Sequence, residues 1–206
     1  MSIVTVYRIV TPRLVLRCLA PTDARAVSAA IAASLEHLRP WLPWARDEPL
    51  GEHERVALLR RFRGDFDLDR DQSFGVFSPD ESELLGGAGL HPRVGPGARE
   101  LGYWVRGDVV RRGIATEAAS ALVQIAMMAQ GARRVEIHCD PRNVASAAIP
   151  KKLGFVHEAT RRRTLELESA PPADRMIWTL LDDELTTSPA MELALTAYDA
   201  AGARVL

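Results

Sequence analysis

Two arginines and a glycine stand where an apolar helical pattern begins. The run is Arg111-Arg112-Gly113-Ile114-Ala115-Thr116, and the apolar residues after it recur with the period of a helix through 129. A helix starts with unpaired backbone N–H groups and roughly half a positive charge. Glycine lets an anion approach the backbone, and arginine adds charge-assisted hydrogen bonds. The run predicts an anion site, with a solvated turn as the alternative.

Free-energy magnitudes limit what this run can hold. A helix end alone contributes roughly 0.3–1 kcal/mol toward an anion. Three or four charge-assisted hydrogen bonds at about 1.5–3 kcal/mol each add roughly 5–12 kcal/mol. Micromolar affinity requires about 8 kcal/mol, so a diphosphate fits if its molecule has a second anchor. The fingerprints G-x-x-x-x-G-K-[ST] and G-x-G-x-x-G do not occur in the chain, which disfavours P-loop and dinucleotide sites.

The elements that must position this run alternate in type along the chain. A strand over 13–19 precedes helices within 21–67, and three strand-like runs over 72–106 predict an antiparallel meander. The helix over 113–130 leads to a strand at 133–140, a short helix capped by Asn143 and stopped at Gly154, and two closing strands. This order predicts a mixed α/β (α+β) domain built around one sheet.

Composition excludes several classes of function. The chain has 206 residues, 47% of them hydrophobic, and a net charge of -1, which suits one globular domain without a nucleic-acid partner. Cys18 and Cys139 lie in apolar runs and are expected as reduced thiols, and the five scattered histidines predict no metal site. No signal peptide or membrane span is visible, so we expect a cytoplasmic protein with no membrane partner. We expect the main domain at 1–185 and a helical extension at 186–206.

Three runs together resemble the GNAT N-acetyltransferases of the RimJ/RimL-type branch. They are TPRLVLRCLAPTDA near the start, ELGYWVRGDVVRRGIATEAA in the middle and DPRNVASAAIPKKLGF after it, and the likeness spans about residues 10–182. The run Val110 to Ala115 is similar to the family's pyrophosphate loop, Q/R-x-x-G-x-G/A, but has Val110 at the first position. The resemblance implies a mostly antiparallel sheet flanked by helices, with splayed central strands.

The resemblance also implies an activity and a donor site. Members transfer acetyl from acetyl-CoA to a primary amine, either a protein N-terminal α-amine or a small-molecule amine, by direct attack on the thioester. The implied donor-binding residues are Trp104, Val105, Arg111, Arg112, Gly113, Ile114, Ala115, Thr116, Asn143 and Ser146. The Tyr103 and Trp104 side chains are interpreted as packing rather than catalytic, and capping alone remains an alternative for Asn143.

The resemblance assigns the chemistry to Ser146 and Glu100. Many members have a proton-donating tyrosine seven residues after the asparagine, where this chain has Pro150, so Ser146 is the candidate that donates a hydrogen bond to the thiolate. Glu100 is the first candidate for the base, with Glu166, Glu168 and His91 in reserve. Trp41 and Trp44 are expected to form one wall of the acceptor site, where Asp47 and Glu48 could attract a cationic amine.

Two other classes of function remain open at this stage. Val110 and Pro150 depart from the family pattern and are consistent with a non-catalytic acyl-CoA-binding or regulatory module. The apolar tail 186–206 is consistent with an interaction protein that forms a homodimer.

Overall fold

One nine-stranded sheet organises the chain in a computed structural model, which describes residues 4–165 and 172–206. The strand order is β7-β8-β6-β5-β4-β3-β2-β1-β9, and every neighbouring pair is antiparallel except β5 and β6. The strands are β1 (Arg8–Val10), β2 (Val15–Cys18), β3 (Gln72–Phe77), β4 (Leu84–His91), β5 (Ala98–Val105), β6 (Arg134–Cys139), β7 (Val156–Leu165), β8 (Ala173–Leu181) and β9 (Thr196–Tyr198). The predicted meander is therefore confirmed as β3–β5.

Helices cover both faces of this sheet. They are α1 (Ala24–Ala32), α2 (Leu35–Leu38), α3 (Glu52–Asp67), α4 (Ile114–Gln124) and α5 (Val144–Lys152). Leu14 and Leu16 pack in one apolar cluster with α4 and α5, whereas Val15 packs in a second cluster with α1 and α3. Because successive side chains of a strand point to opposite faces, the two clusters lie on opposite sides of the sheet. The chain thus has the predicted mixed architecture.

The two parallel strands separate soon after they start. β5 and β6 pair only over Ala98–Glu100 and Arg134–Glu136, although both strands continue beyond this ladder. Parallel neighbours need a crossover connection, which α4 and the π-helical turn Ile125–Ala129 provide. A V-shaped opening therefore lies at the centre of the sheet, which confirms the expected splayed central strands.

The predicted C-terminal helix is wrong. Two short 3-10 helices, Asp182–Thr187 and Pro189–Glu192, lead into β9, which pairs with β1. Tertiary contacts favour this conformation of the tail over the helix predicted for 186–206. The buried Gln124 amide donates to the Ala190 and Leu193 carbonyls, and Ala197 is fully buried. The tail thus extends the sheet beyond β1.

Among the described residues, no helix is both long and apolar enough to cross a bilayer. Both cysteines are free and buried, as expected for reduced thiols. Glu166 and Glu168, the reserve candidates for the base, lie outside the described residues.

Candidate functional site

A cleft of about 1890 Å³ opens through the V between β5 and β6. It brings together residues that are far apart in sequence, because β4, β5, β6 and the starts of α4 and α5 all contribute to its wall. The predicted site residues that line it are Trp41, Trp44, Glu100, Trp104, Val105, Arg111, Gly113, Ile114, Ala115, Thr116, Asn143 and Ser146. Arg112 is the predicted site residue that does not line it.

The loop before α4 has the backbone shape of an anion cradle. Arg111 and Gly113 both adopt left-handed backbone conformations, with φ of 63° and 80°. This conformation is costly for arginine, and such strain is concentrated at functional sites. The first turn of α4, directly after this loop, has N–H groups without helical acceptors. The geometry is suited to a phosphate group.

A buried carboxylate in the first turn of α4 is neutralised from the other side. The Glu117 side chain is 7% exposed, and its oxygens accept hydrogen bonds from Thr11 Oγ1 at 2.7 Å and Arg13 Nε at 2.6 Å. Arg13 Nη1 also donates to the Arg112 carbonyl at 2.9 Å. Arg13 thus stabilises the loop. It also neutralises the Glu117 carboxylate, whose negative charge would otherwise repel an anion at the helix start.

The two loop arginines differ in their surroundings. Arg111 is exposed and borders the cleft. Arg112 is exposed too, but its Nη2 donates to the Asp108 carbonyl at 3.3 Å. Val110 also lines the cleft. The position at which this chain departs from the pyrophosphate-loop pattern therefore places an apolar side chain beside the cradle.

A missing helical hydrogen bond draws Tyr103 to Ser146. Pro150 lies four residues after Ser146 inside α5 and lacks the N–H that would donate to the Ser146 carbonyl. The Tyr103 hydroxyl occupies this place: it lies 3.1 Å from the Ser146 carbonyl oxygen and 3.2 Å from Ser146 Oγ. Burial raises the pKa of Tyr103, so its hydroxyl keeps its proton at neutral pH. Two hydroxyl groups thus meet at the cleft.

Asn143 orients the start of α5. Its Oδ1 accepts a hydrogen bond from the Ser146 backbone N–H at 3.0 Å, which confirms the predicted cap. Cys139 at the end of β6 lines the same part of the cleft, and burial raises the pKa of its thiol to about 11. The thiol is therefore an uncharged part of the wall at neutral pH.

Glu100 lies where β5 and β6 begin to separate. Arg93 Nε and Nη2 donate to its two carboxylate oxygens at 2.8 and 2.7 Å. Burial would raise the pKa of Glu100, but the hydrogen bonds from Arg93 and the positive charge of Arg93 hold the pKa below its ordinary value. Glu100 is thus an ionised carboxylate facing the cleft and a weak base by itself.

Tryptophans form a wall on the face opposite Tyr103. The Trp44 and Trp104 rings meet edge to face with centroids 6.1 Å apart, and Trp41 lines the cleft near them. The expectation that Glu48 attracts an amine is wrong, because Glu48 is 5% exposed and forms an ion pair with Arg55 at 2.5 Å. Asp47 remains on the cleft wall.

Sequence reasoning did not assign Tyr103, Arg13 or His138 to the site. The signals for them are weak at the level of sequence. The prolyl position in α5 could have indicated a free Ser146 carbonyl, but the register that brings Tyr103 to it requires the three-dimensional structure. The parallel register of β5 and β6, which brings His138 to Glu100, likewise needs the structure.

Comparisons with known proteins agree with this geometry. Residues 13–156 match the family model described as "Acetyltransferase (GNAT) domain". An Escherichia coli (strain K12) "[Ribosomal protein uS5]-alanine N-acetyltransferase" is 30% identical over 73% of this chain and 79% of its own. A solved "Probable acetyltransferase" has a TM-score of 0.77 at 26% identity, covering 84% of this chain and 95% of its own. Mycobacterium smegmatis RimJ, solved with a CoA-disulfide, shares the fold with a TM-score of 0.77 at 24% identity, covering 90% and 91% of the two chains.

Proposed function

The chain belongs to the GNAT acetyltransferase family, and we propose that its acceptor is the N-terminal α-amine of a protein. At the level of the family, the chain is an acetyl-CoA-dependent N-acetyltransferase. This favours an enzyme over a non-catalytic binding module. The proposal for the acceptor is carried by the relative that acetylates an alanine of ribosomal protein uS5 and covers 73% of this chain.

We propose that acetyl-CoA, the donor substrate, lies along the cleft from α4 to α5. The N–H groups of the cradle and the Arg111 guanidinium would hold the diphosphate, since Arg111 and Gly113 line the cleft at the start of α4. The backbone at Trp104 and Val105, beyond the last parallel pair of β5, would bind the pantetheine arm and polarise the thioester carbonyl. Asn143 and Ser146 would line the part of the cleft that holds the thioester end of acetyl-CoA.

The leaving thiolate requires a hydrogen-bond donor, and we assign that role to Ser146. Its hydroxyl lies on the cleft wall, 3.2 Å from the Tyr103 hydroxyl. Tyr103 would hold Ser146 Oγ in place and keep its own proton, because burial raises its pKa. The arrangement replaces the tyrosine that the family often has at the position of Pro150.

The acceptor would enter along the tryptophan wall toward Glu100. An α-amine has a reference pKa of about 7.7–8.0, so a fraction is already neutral at pH 7, whereas lysine, at about 10.4, is almost wholly charged. A weakly basic carboxylate such as Glu100 therefore suits an α-amine better than a lysine side chain.

Matched peptides distinguish the two kinds of amine. One peptide starts with a free alanine α-amine and carries blocked lysines, and the other has the same sequence with a blocked α-amine and one free lysine. With acetyl-CoA, tandem mass spectrometry should locate acetyl on the α-amine of the first peptide and none on the second. A panel of polyamines, aminoglycosides and amino acids is tested in parallel. Acetylation of these small amines alone would refute the protein acceptor.

A further inference from the structure

A line of polar side-chain contacts runs from the loop after β4 to β5 and β6 on the cleft wall. Arg93 contacts Glu100, Glu100 Oε2 lies 3.5 Å from His138 Nδ1, and His138 Nε2 lies 2.7 Å from Glu136 Oε2. Arg134 closes the line, with its Nε 2.9 Å from Glu136. The side chains of Glu100, His138 and Glu136 are 12%, 10% and 10% exposed, and all three line the cleft.

Two buried nitrogen atoms of this line, His138 Nδ1 and Arg134 Nε, make no hydrogen bond within the described parts of the chain. Arg134 Nε is still within ion-pair distance of Glu136, whereas His138 Nδ1 lies 3.5 Å from Glu100 Oε2. Glu136 is an acceptor at hydrogen-bond distance from Nε2, so the Nε2–H tautomer would satisfy it and turn the Nδ1 lone pair toward Glu100. A proton arriving at Nδ1 would convert this contact into a charge-assisted hydrogen bond. In this tautomer, Nδ1 is thus placed to accept one proton.

The acceptor amine would supply that proton. Two hydrogen bonds from Arg93 stabilise Glu100 as a carboxylate, whereas the unpartnered Nδ1 lone pair of His138 can accept a proton. We propose that His138 positions Glu100 and accepts a proton from it. In each turnover the acceptor ammonium gives a proton to Glu100, and His138 takes that proton over. The proposal rests on the proposed function, since it requires an amine acceptor beside Glu100.

The protons of one turnover balance with this assignment. The ammonium gives its first proton through Glu100 to the lone pair of His138 Nδ1, and the neutral nitrogen forms the C–N bond to the acetyl carbon. The amine loses a second proton as the C–S bond breaks, and the sulfur of CoA gains one. One proton per turnover therefore leaves His138 for solvent.

Other charged groups near His138 also influence the pH dependence of kcat. The strand on the other side, β8, places Ile177 opposite His138 in register. On β4, His91 lies opposite Glu100 in register, and its Nδ1 lies 2.6 Å from Asp71. On the cleft wall, β7 and β8 add the charged side chains of Glu158, Arg161 and Arg175.

Replacement of His138 by glutamine, His138→Gln, tests the proposal through a pH profile. We expect kcat at pH 7 to fall about tenfold or more, since general base catalysis is worth about 10²–10⁴. The variant should approach the wild type above about pH 9, where an α-amine is already largely neutral. The acetyl-CoA Kd, measured by calorimetry, should not change. The exposed His53, replaced in the same way, is the matched control and should leave the profile unchanged.

Two results would overturn the proposal. A loss of kcat that is equal at every pH indicates a structural role alone, and an unchanged kcat removes His138 from proton transfer. If the variant does not fold, ¹⁵N NMR of the wild-type imidazoles decides: the proposal requires the Nε2–H tautomer, and an Nδ1–H tautomer contradicts it. This measurement needs no turnover, so it separates failure of the proposal from failure of the proposed acceptor.

Discussion

At the scale of the residue, Pro150 explains why Ser146 and Tyr103 lie together. A proline inside α5 removes one backbone donor, and the Tyr103 hydroxyl on β5 takes its place at 3.1 Å from the Ser146 carbonyl. The position that looks like a defect in the family pattern therefore fixes a hydroxyl pair at the cleft. The sequence predicts Ser146 but not Tyr103, because no local pattern shows which residue of β5 reaches α5.

Removal of either hydroxyl should slow the chemical step more than it weakens donor binding. We expect Ser146→Ala to lower kcat about tenfold or more and Tyr103→Phe to lower it less, because the phenylalanine still packs but no longer holds Ser146. Steady-state kinetics and acetyl-CoA titration measure the two effects. Tyr198→Phe, on β9, is the control. An equal kcat for Ser146→Ala and the wild type would remove Ser146 from the mechanism.

At the scale of the element, the start of α4 depends on a segment about a hundred residues away in sequence. Thr11 and Arg13 bind Glu117, and Arg13 also binds the Arg112 carbonyl. The sequence predicts the helix and its glycine from local chemistry. It does not predict this support, because the support depends on where the chain before β2 lies relative to α4.

Loss of the Arg13 side chain should weaken acetyl-CoA binding without abolishing folding. Arg13→Gln leaves the Glu117 carboxylate less neutralised at the helix start, so we expect the Kd to rise about tenfold, which corresponds to about 1.4 kcal/mol. Arg25→Gln, which breaks the exposed ion pair of Arg25 with Glu52, is the matched control. An Arg13→Gln protein that binds acetyl-CoA as tightly as the control would show that the loop does not need this support.

Deletion of the tail should destabilise the domain. A chain ending at Leu185 loses β9, exposes the edge of β1 and leaves the Gln124 amide without the Ala190 and Leu193 carbonyls. A buried amide without partners costs about 1–3 kcal/mol, and the lost burial adds to it. Urea unfolding measures the effect. A denaturation midpoint equal to that of the full chain would mean that 186–206 is an independent appendage, and light scattering on both chains tests its expected role in dimer formation.

At the scale of the whole molecule, several partly or fully buried carboxylates pair with arginines. Burial would raise the pKa of Asp23, Glu81, Glu100 and Asp140, but hydrogen bonds from arginines hold each pKa below its ordinary value. The sequence predicts the strands and their order through the meander. It does not predict that Arg8 and Arg17 both pair with Glu81, because the register of the sheet brings these residues together.

Stability should therefore decline in acid. A carboxylate whose pKa is lower in the folded state stabilises the fold above its unfolded pKa, about 3.9 for Asp and 4.3 for Glu, and this contribution is lost as the pH falls through the folded value. We expect urea midpoints to be nearly constant from pH 7 to about 5 and to drop below about pH 4. Midpoints that rise on acidification would contradict the assignment of these pairs.

The central claim is that the cleft beside Arg111 and Gly113 holds acetyl-CoA. Isothermal titration of the wild type with acetyl-CoA, beside a variant with Arg111→Glu and Arg112→Glu, tests it most directly. We expect a Kd in the micromolar range for the wild type, which corresponds to a binding free energy of about 8 kcal/mol. We expect no measurable binding for the double variant. A folded wild-type protein that binds no acetyl-CoA at millimolar concentration, or a double variant that binds as tightly as the wild type, would contradict it.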